Sequence, residues 1–283
     1  MLLINASSLQ FEEFEGHSTP AYAVLSHRWG ARGDEVTYDD YVRGLKKDSP
    51  GFKKITQFCK HASATGLGWA WVDTCCIDKK SSAELSESIN SMFAWYQKAH
   101  VCFAYLQDVD NAETWRESAW WQRGWTLQEL IAPESVIFCD REWREIGSKH
   151  GMADQIAALS RIPGAVLKVR GMYRHATIAQ KLSWAAGRLT TRREDVAYSL
   201  LGLFHINMPL LYGEGDKAFQ RLQIEILQKY SDESLFAWSC NSKGPHLVLA
   251  PTPASFRTCG NMAPVSQHLK EDLPKHHRAV HPP

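Results

Sequence analysis

The 283 residues carry a formal net charge of +1, with 44% hydrophobic and 22% charged side chains. This globular composition allows one large domain or two small ones, and the balanced charge offers no basic field for a phosphate backbone, so nucleic acid is not an expected partner. No run reaches the roughly 18 apolar residues of a membrane span, and the opening MLLINASSLQFEEFEG lacks the basic and apolar regions of a signal peptide, which predicts a soluble cytoplasmic protein.

Four short apolar runs read as buried strands: AYAVLS (21–26), WAWVD (69–73), VCFAYL (101–106) and SVIFCD (135–140). Helical periodicity alternates with them, which predicts an α/β fold with a mostly parallel sheet covered by helices. One helix runs through SPGFKKITQFCKHASATG and stops at Gly66 or Gly68. The next opens at Ser81 with Glu84 at capping-box spacing, and Leu85, Ile89, Met92 and Tyr96 form its buried stripe opposite Glu87, Asn90, Ser91 and Ala94.

From about Gly151 strand signals fade, and 152–160, 175–188, 192–204 and 214–230 read as helices joined by Gly- and Pro-bearing turns. The expected organisation is an α/β core over 1–150, a helical extension over 151–238, and an irregular or mobile tail over 239–283, where Pro, Gly, His and charge mix without period.

Several chemistries lack their motifs. There is no GxxxxGK[ST] phosphate loop, GxSxG elbow or HExxH pair, and the glycines of GLGWAW and YGEGDKA lack the strand-then-helix context of a dinucleotide fingerprint. Seven cysteines, at 59, 75, 76, 102, 139, 240 and 259, form no CxxC pair, so buried free thiols are expected and a metal site is not. The pair Cys75 and Cys76 reads as packing rather than as a nucleophile.

Ligands of open parallel sheets bind beyond the carboxyl ends of the strands. Those ends carry Ser26, His27, Arg28 and Trp29 after the first strand, Asp73 and Asp78 after the second, and Asp108 and Asp110 after the third. Four of them have an ordinary alternative: His27 and Arg28 as partners of backbone carbonyls, Asp73 and Asp78 as caps. The segment WWQRGWTLQEL (120–130) then places Glu129 among tryptophans and leucines. If the segment is one helix, Trp120, Gly124, Leu127 and Ile131 share a face, and Glu129 points away from it beside Gln122 and Trp125. Its ordinary alternative is a solvated helix glutamate.

Four stretches closely resemble the fungal heterokaryon-incompatibility (HET) domain: YAVLSHRWG (22–30), GWAWVDTCCIDKKSSAELSESINSMFAWYQKAHVCFAYLQDV (68–109), WWQRGWTLQELIAP (120–133) and RREDVAYSLLGLFHINMPLLYGEGDKAFQRLQIEI (192–226). The resemblance spans Tyr22 to Trp238. It implies an effector of cell death after fusion of genetically unlike fungal cells. It also implies that partners include an NLR-type receptor or another incompatibility protein, the domain standing alone or belonging to a longer protein.

More distantly, YAVLSHRWG is similar to the opening strand and loop of Toll/interleukin-1 receptor (TIR) domains, and RGWTLQEL to their helix motif of tryptophan, leucine and glutamate. Thr126 stands where that motif has cysteine. This second resemblance implies a TIR-like, flavodoxin-like core with a C-terminal helical extension, self-association, and NAD as substrate rather than cofactor. Glu129 would then be the catalytic acid of cleavage at the nicotinamide–ribose bond. Ser26, His27, Arg28, Trp29, Asp73, Asp78, Asp108 and Trp125 would line the substrate site, with no metal. The same fold could instead serve as a non-enzymatic module that oligomerises and recruits partners.

Overall fold

The computed structural model describes residues 1–31, 33–239 and 248–262. Its centre is a seven-stranded sheet of β1 (Leu2–Asn5), β2 (Phe11–Glu13), β3 (Ala23–His27), β4 (Trp69–Trp71), β5 (Val101–Tyr105), β6 (Val136–Cys139) and β7 (Glu145–Ser148), in the order β2-β1-β4-β3-β5-β6-β7. The four predicted apolar runs are the four central strands, mutually parallel, with Ser26 beside Ala104 and His27 beside Tyr105. All five residues of β3 are buried, as a central parallel strand requires.

The margins differ from the expectation of a mostly parallel sheet. The β1–β2 hairpin and β7 pair antiparallel, so three of the six pairings are parallel and three antiparallel. These marginal strands are only three or four residues long, too short to show a period of two, and β2 and β7 bury no residue fully.

The first helices are α1 (Tyr38–Val42), α2 (Pro50–Ala64), α3 (Ser82–Lys98) and α4 (Thr126–Ile131). Helix α2 starts at Ser49, whose hydroxyl accepts from Phe52 N at 3.1 Å, and stops before Gly66, which takes φ +82°. At its first turn Gly51 N donates to Asp34 O at 3.1 Å, and a side chain there would run into that carbonyl. This close approach holds the 34–36 loop against α2.

Helix α3 buries Ile89, Met92 and Tyr96 as predicted, with Leu85 half-buried. Its capping box is only half formed: Ser81 caps Glu84 N at 3.3 Å, but the Glu84 carboxylate reaches back to Asp78 N at 2.8 Å. Helices α5 (Ala153–Ser160), α6 (Gly164–Lys168), α7 (Ile178–Ala185), α8 (Asp195–Tyr198) and α9 (Lys217–Lys229) form the helical part. The predicted 192–204 helix is broken into short α8 and a 3-10 turn, Gly202–Phe204.

The helical part is tied to the sheet layer where Gly124 N donates to Leu189 O at 2.7 Å and Leu189 N to Gln122 O at 2.6 Å, and again where Met208 N donates to Asn90 Oδ1 of α3 at 3.1 Å. Of the expected irregular tail, 240–247 and 263–283, including Cys240, lie outside the described residues. Residues 248–262 hold two 3-10 turns and bury Ala250, Phe256 and Cys259. The other six cysteines are free and buried.

Candidate functional site

The segment 120–131 is not one helix. Ala119–Gln122 is a 3-10 turn and α4 begins only at Thr126, so the helical faces counted from Trp120 do not apply. All six α4 residues are buried, and Glu129 is 5% exposed. The solvated-glutamate alternative is therefore corrected: a short helix packed against both the sheet and its own aromatic turn has no solvent face. Asp108 sets that turn, its carboxylate accepting from Ser118 Oγ at 2.6 Å and Ala119 N at 2.8 Å.

The hydrogen bonds around Glu129 determine their own protons. An indole only donates, so Trp120 Nε1 donates to Ser26 Oγ at 2.9 Å, and Ser26 in turn donates to Glu129 Oε2. The other carboxylate oxygen, Oε1, makes no hydrogen bond among the described residues. Burial pushes the Glu129 pKa up to about 7, against the opposing pull of Arg123, the Ser26 hydroxyl and Arg188. A carboxyl half-ionised near neutrality can act as acid or base.

A second cluster lies across the sheet. Successive strand residues face opposite sides, so His27 points away from Ser26, toward the layer of α2. There Lys54 Nζ bonds Glu35 Oε1 at 2.6 Å, and Gly30 N donates to the same oxygen at 2.7 Å. The His27 ring lies between two carboxylates, with Nε2 3.9 Å from Glu35 Oε2 and Nδ1 3.8 Å from Asp73 Oδ1, and none of these four atoms has a hydrogen-bond partner among the described residues. Burial, then Lys54, Arg123 and Lys79, holds its pKa well below the usual value, so the ring is neutral.

Trp29, Asp73, Lys79 and Arg123 join the two clusters at the strand ends. Trp29 Nε1 donates to Asp73 Oδ2 at 2.8 Å, the Lys79 ammonium sits 3.9 Å from the Trp29 ring centroid, and the Arg123 guanidinium 5.4 Å. Arg123 also donates to the His27 carbonyl. Trp29 itself is 42% exposed and forms the rim.

Ser26, His27, Trp29 and Asp73 thus gather around the strand ends with Glu129, but on two faces rather than in one crevice. Arg28 is exposed beside them. Asp78 turns away to bond Lys80 N at 2.9 Å, Asp110 pairs with Arg141 in solvent, and Trp125 is directed to Asp195. Glu35, Lys54, Lys79, Arg123 and Arg188 escaped the sequence reading. Arg123, inside WWQRGW, and Lys79, next to Asp78, lay in segments already singled out. Among the described residues no group of three His, Cys, Asp or Glu could hold a metal ion, and no helix is long and apolar enough to cross a membrane.

Comparison with known proteins adds two matched segments. The profile of the Heterokaryon incompatibility protein (HET) family matches residues 22–115, and a domain of unknown function, DUF8212, matches 217–255. The Vegetative incompatibility protein HET-E-1 of Podospora anserina is 42% identical over 219 residues, 73% of this chain but 16% of that protein's length. No solved structure matches.

Proposed function

Because the chain carries the heterokaryon-incompatibility (HET) domain, we propose that it acts in fungal non-self recognition as a cell-death effector, cleaving NAD at the nicotinamide–ribose bond when self-associated. One observation carries the catalytic reading: a buried carboxyl with a pKa of about 7, oriented by Ser26 of the central strand, at the carboxyl end of a parallel sheet. Supporting it is the order of the parallel strands, second-first-third-fourth along the chain, which is that of flavodoxin-like doubly wound sheets and agrees with a TIR-like core.

Breaking the bond between ribose and nicotinamide sends its electron pair to the pyridine nitrogen, so nicotinamide leaves neutral without needing an acid. Positive charge develops at the ribose. An ionised Glu129 would stabilise that charge or attack through the unbonded Oε1, as carboxylates do in glycoside hydrolysis, and water would complete the reaction. The exposed Trp29 ring would stack on the substrate. Arg28 and Lys79 are better placed for the pyrophosphate than His27, which is neutral and enclosed by carboxylates.

The near-complete burial of Glu129 and His27 favours a second reading, a signalling module that oligomerises and recruits death-inducing partners. Under the catalytic reading the same burial requires the Trp29 rim to open on association. Expression in fungal cells separates the two. The enzymatic reading expects Glu129→Gln to abolish cell death at unchanged protein level. Death that survives this substitution would leave the recruiting module.

A further inference from the structure

A cavity of about 330 Å³ lies where the 185–190 turn, Gly124 and the 252–257 segment meet. Two arginines line it, Arg188 and Arg257, and among the described residues no acidic side chain does. Ala185, Ala186, Val196 and Pro253 supply apolar wall, and the volume falls at the small end of the 300–1,000 Å³ typical of ligand sites.

Neither guanidinium is fully used. Arg257 spends Nη2 on Ala186 O at 3.2 Å. Arg188 donates from Nε to Trp184 O at 3.3 Å, and from Nη1 to Arg123 O at 2.9 Å and Thr126 Oγ1 at 2.8 Å. Arg188 Nη2 has no hydrogen bond among the described residues. Burial lowers the Arg188 pKa to about 10, so the group stays charged near neutrality, and its one attractive charge partner there is Glu129. The cavity thus offers surplus positive charge beside an apolar wall.

We infer that this cavity binds a small organic phosphate of mononucleotide size, its anionic head between Arg188 and Arg257 and its body against the alanine and valine wall. The inference goes beyond the proposed NAD cleavage and does not depend on it. Arg188 also holds the Arg123 carbonyl and the Thr126 hydroxyl at the head of α4, so an occupant would stiffen the turn leading to Glu129.

Calorimetry with the full chain tests the site, using adenosine monophosphate, adenosine and inorganic phosphate as probes. The monophosphate should bind at least tenfold more tightly than either control. Ala254→Trp, which narrows the mouth at an exposed position and leaves both guanidiniums intact, should weaken binding tenfold or more, as should Arg257→Glu. Bound monophosphate should also slow amide exchange at 187–190 and 123–126. Inorganic phosphate binding as tightly as the monophosphate, no binding at millimolar probe, or binding untouched by Ala254→Trp would each overturn the inference.

Discussion

Ser26 and His27, neighbours at the end of β3, serve opposite faces of the sheet: Ser26 donates to the Glu129 carboxylate, while His27 lies between Glu35 and Asp73, its ring nitrogens without a hydrogen-bond partner among the described residues. One strand end therefore organises two charge clusters, and Asp73, Lys79 and Arg123 couple them.

Glu129 makes stability depend on pH. Its folded pKa of about 7 lies above the ordinary 4.5, so its contribution is fully present below about 4.5 and is lost as pH rises through about 7. The unfolding free energy of wild type minus that of Glu129→Gln should fall by up to about 3 kcal/mol between about pH 4.5 and pH 8. Urea denaturation across that range measures it, and parallel curves would remove the raised pKa.

His27 has the reverse sign. Its folded pKa is depressed, so its contribution is present above the unfolded value of about 6.5 and is lost as pH falls below it. The ring faces Lys54, Lys79 and Arg123 as well as Glu35 and Asp73. Its NMR resonance should show no titration between about pH 8 and pH 6, where a free histidine is half protonated near 6.5. An ordinary titration curve would mean that the cluster opens readily in solution.

The Lys54–Glu35 ion pair is nearly buried, so removing one partner strands a charge. Lys54→Met alone should destabilise by about 3–5 kcal/mol, and adding Glu35→Gln should recover much of the loss. Additive losses in chemical denaturation would show that the pair is solvated.

Packing gives a sharper contrast with the surface. Leu127 and Ile89 are both buried, and truncating either to alanine should cost about 2–5 kcal/mol. Melting temperatures that stay at the wild-type value would place these side chains outside the core.

Much of the fold is legible in the sequence, for identifiable reasons. The four parallel strands are continuous apolar runs because both faces are covered, and α3 shows its stripe because one face meets the sheet and the other solvent. Strands β1, β2 and β7 are too short to carry a pattern. The site is legible only in part. Ser26, His27, Trp29 and Asp73 are legible from their place at strand ends and Glu129 from the WWQRGWTLQEL segment, but a helical count from Trp120 misplaces the Glu129 side chain because a 3-10 turn interrupts it before Thr126. Glu35, Lys54 and Arg188 reach the site only through tertiary packing. Asp78 takes the ordinary alternative of a local cap, and Asp108 anchors the turn at Ser118 and Ala119.

The most direct test of the account is nicotinamide release from NAD by the purified, artificially clustered protein, wild type beside Glu129→Gln with folding checked by circular dichroism. Wild type alone should release nicotinamide, at a rate rising with pH through about 7 as the carboxyl ionises. Equal release by the folded Glu129→Gln protein, or none from either at high concentration, would contradict it.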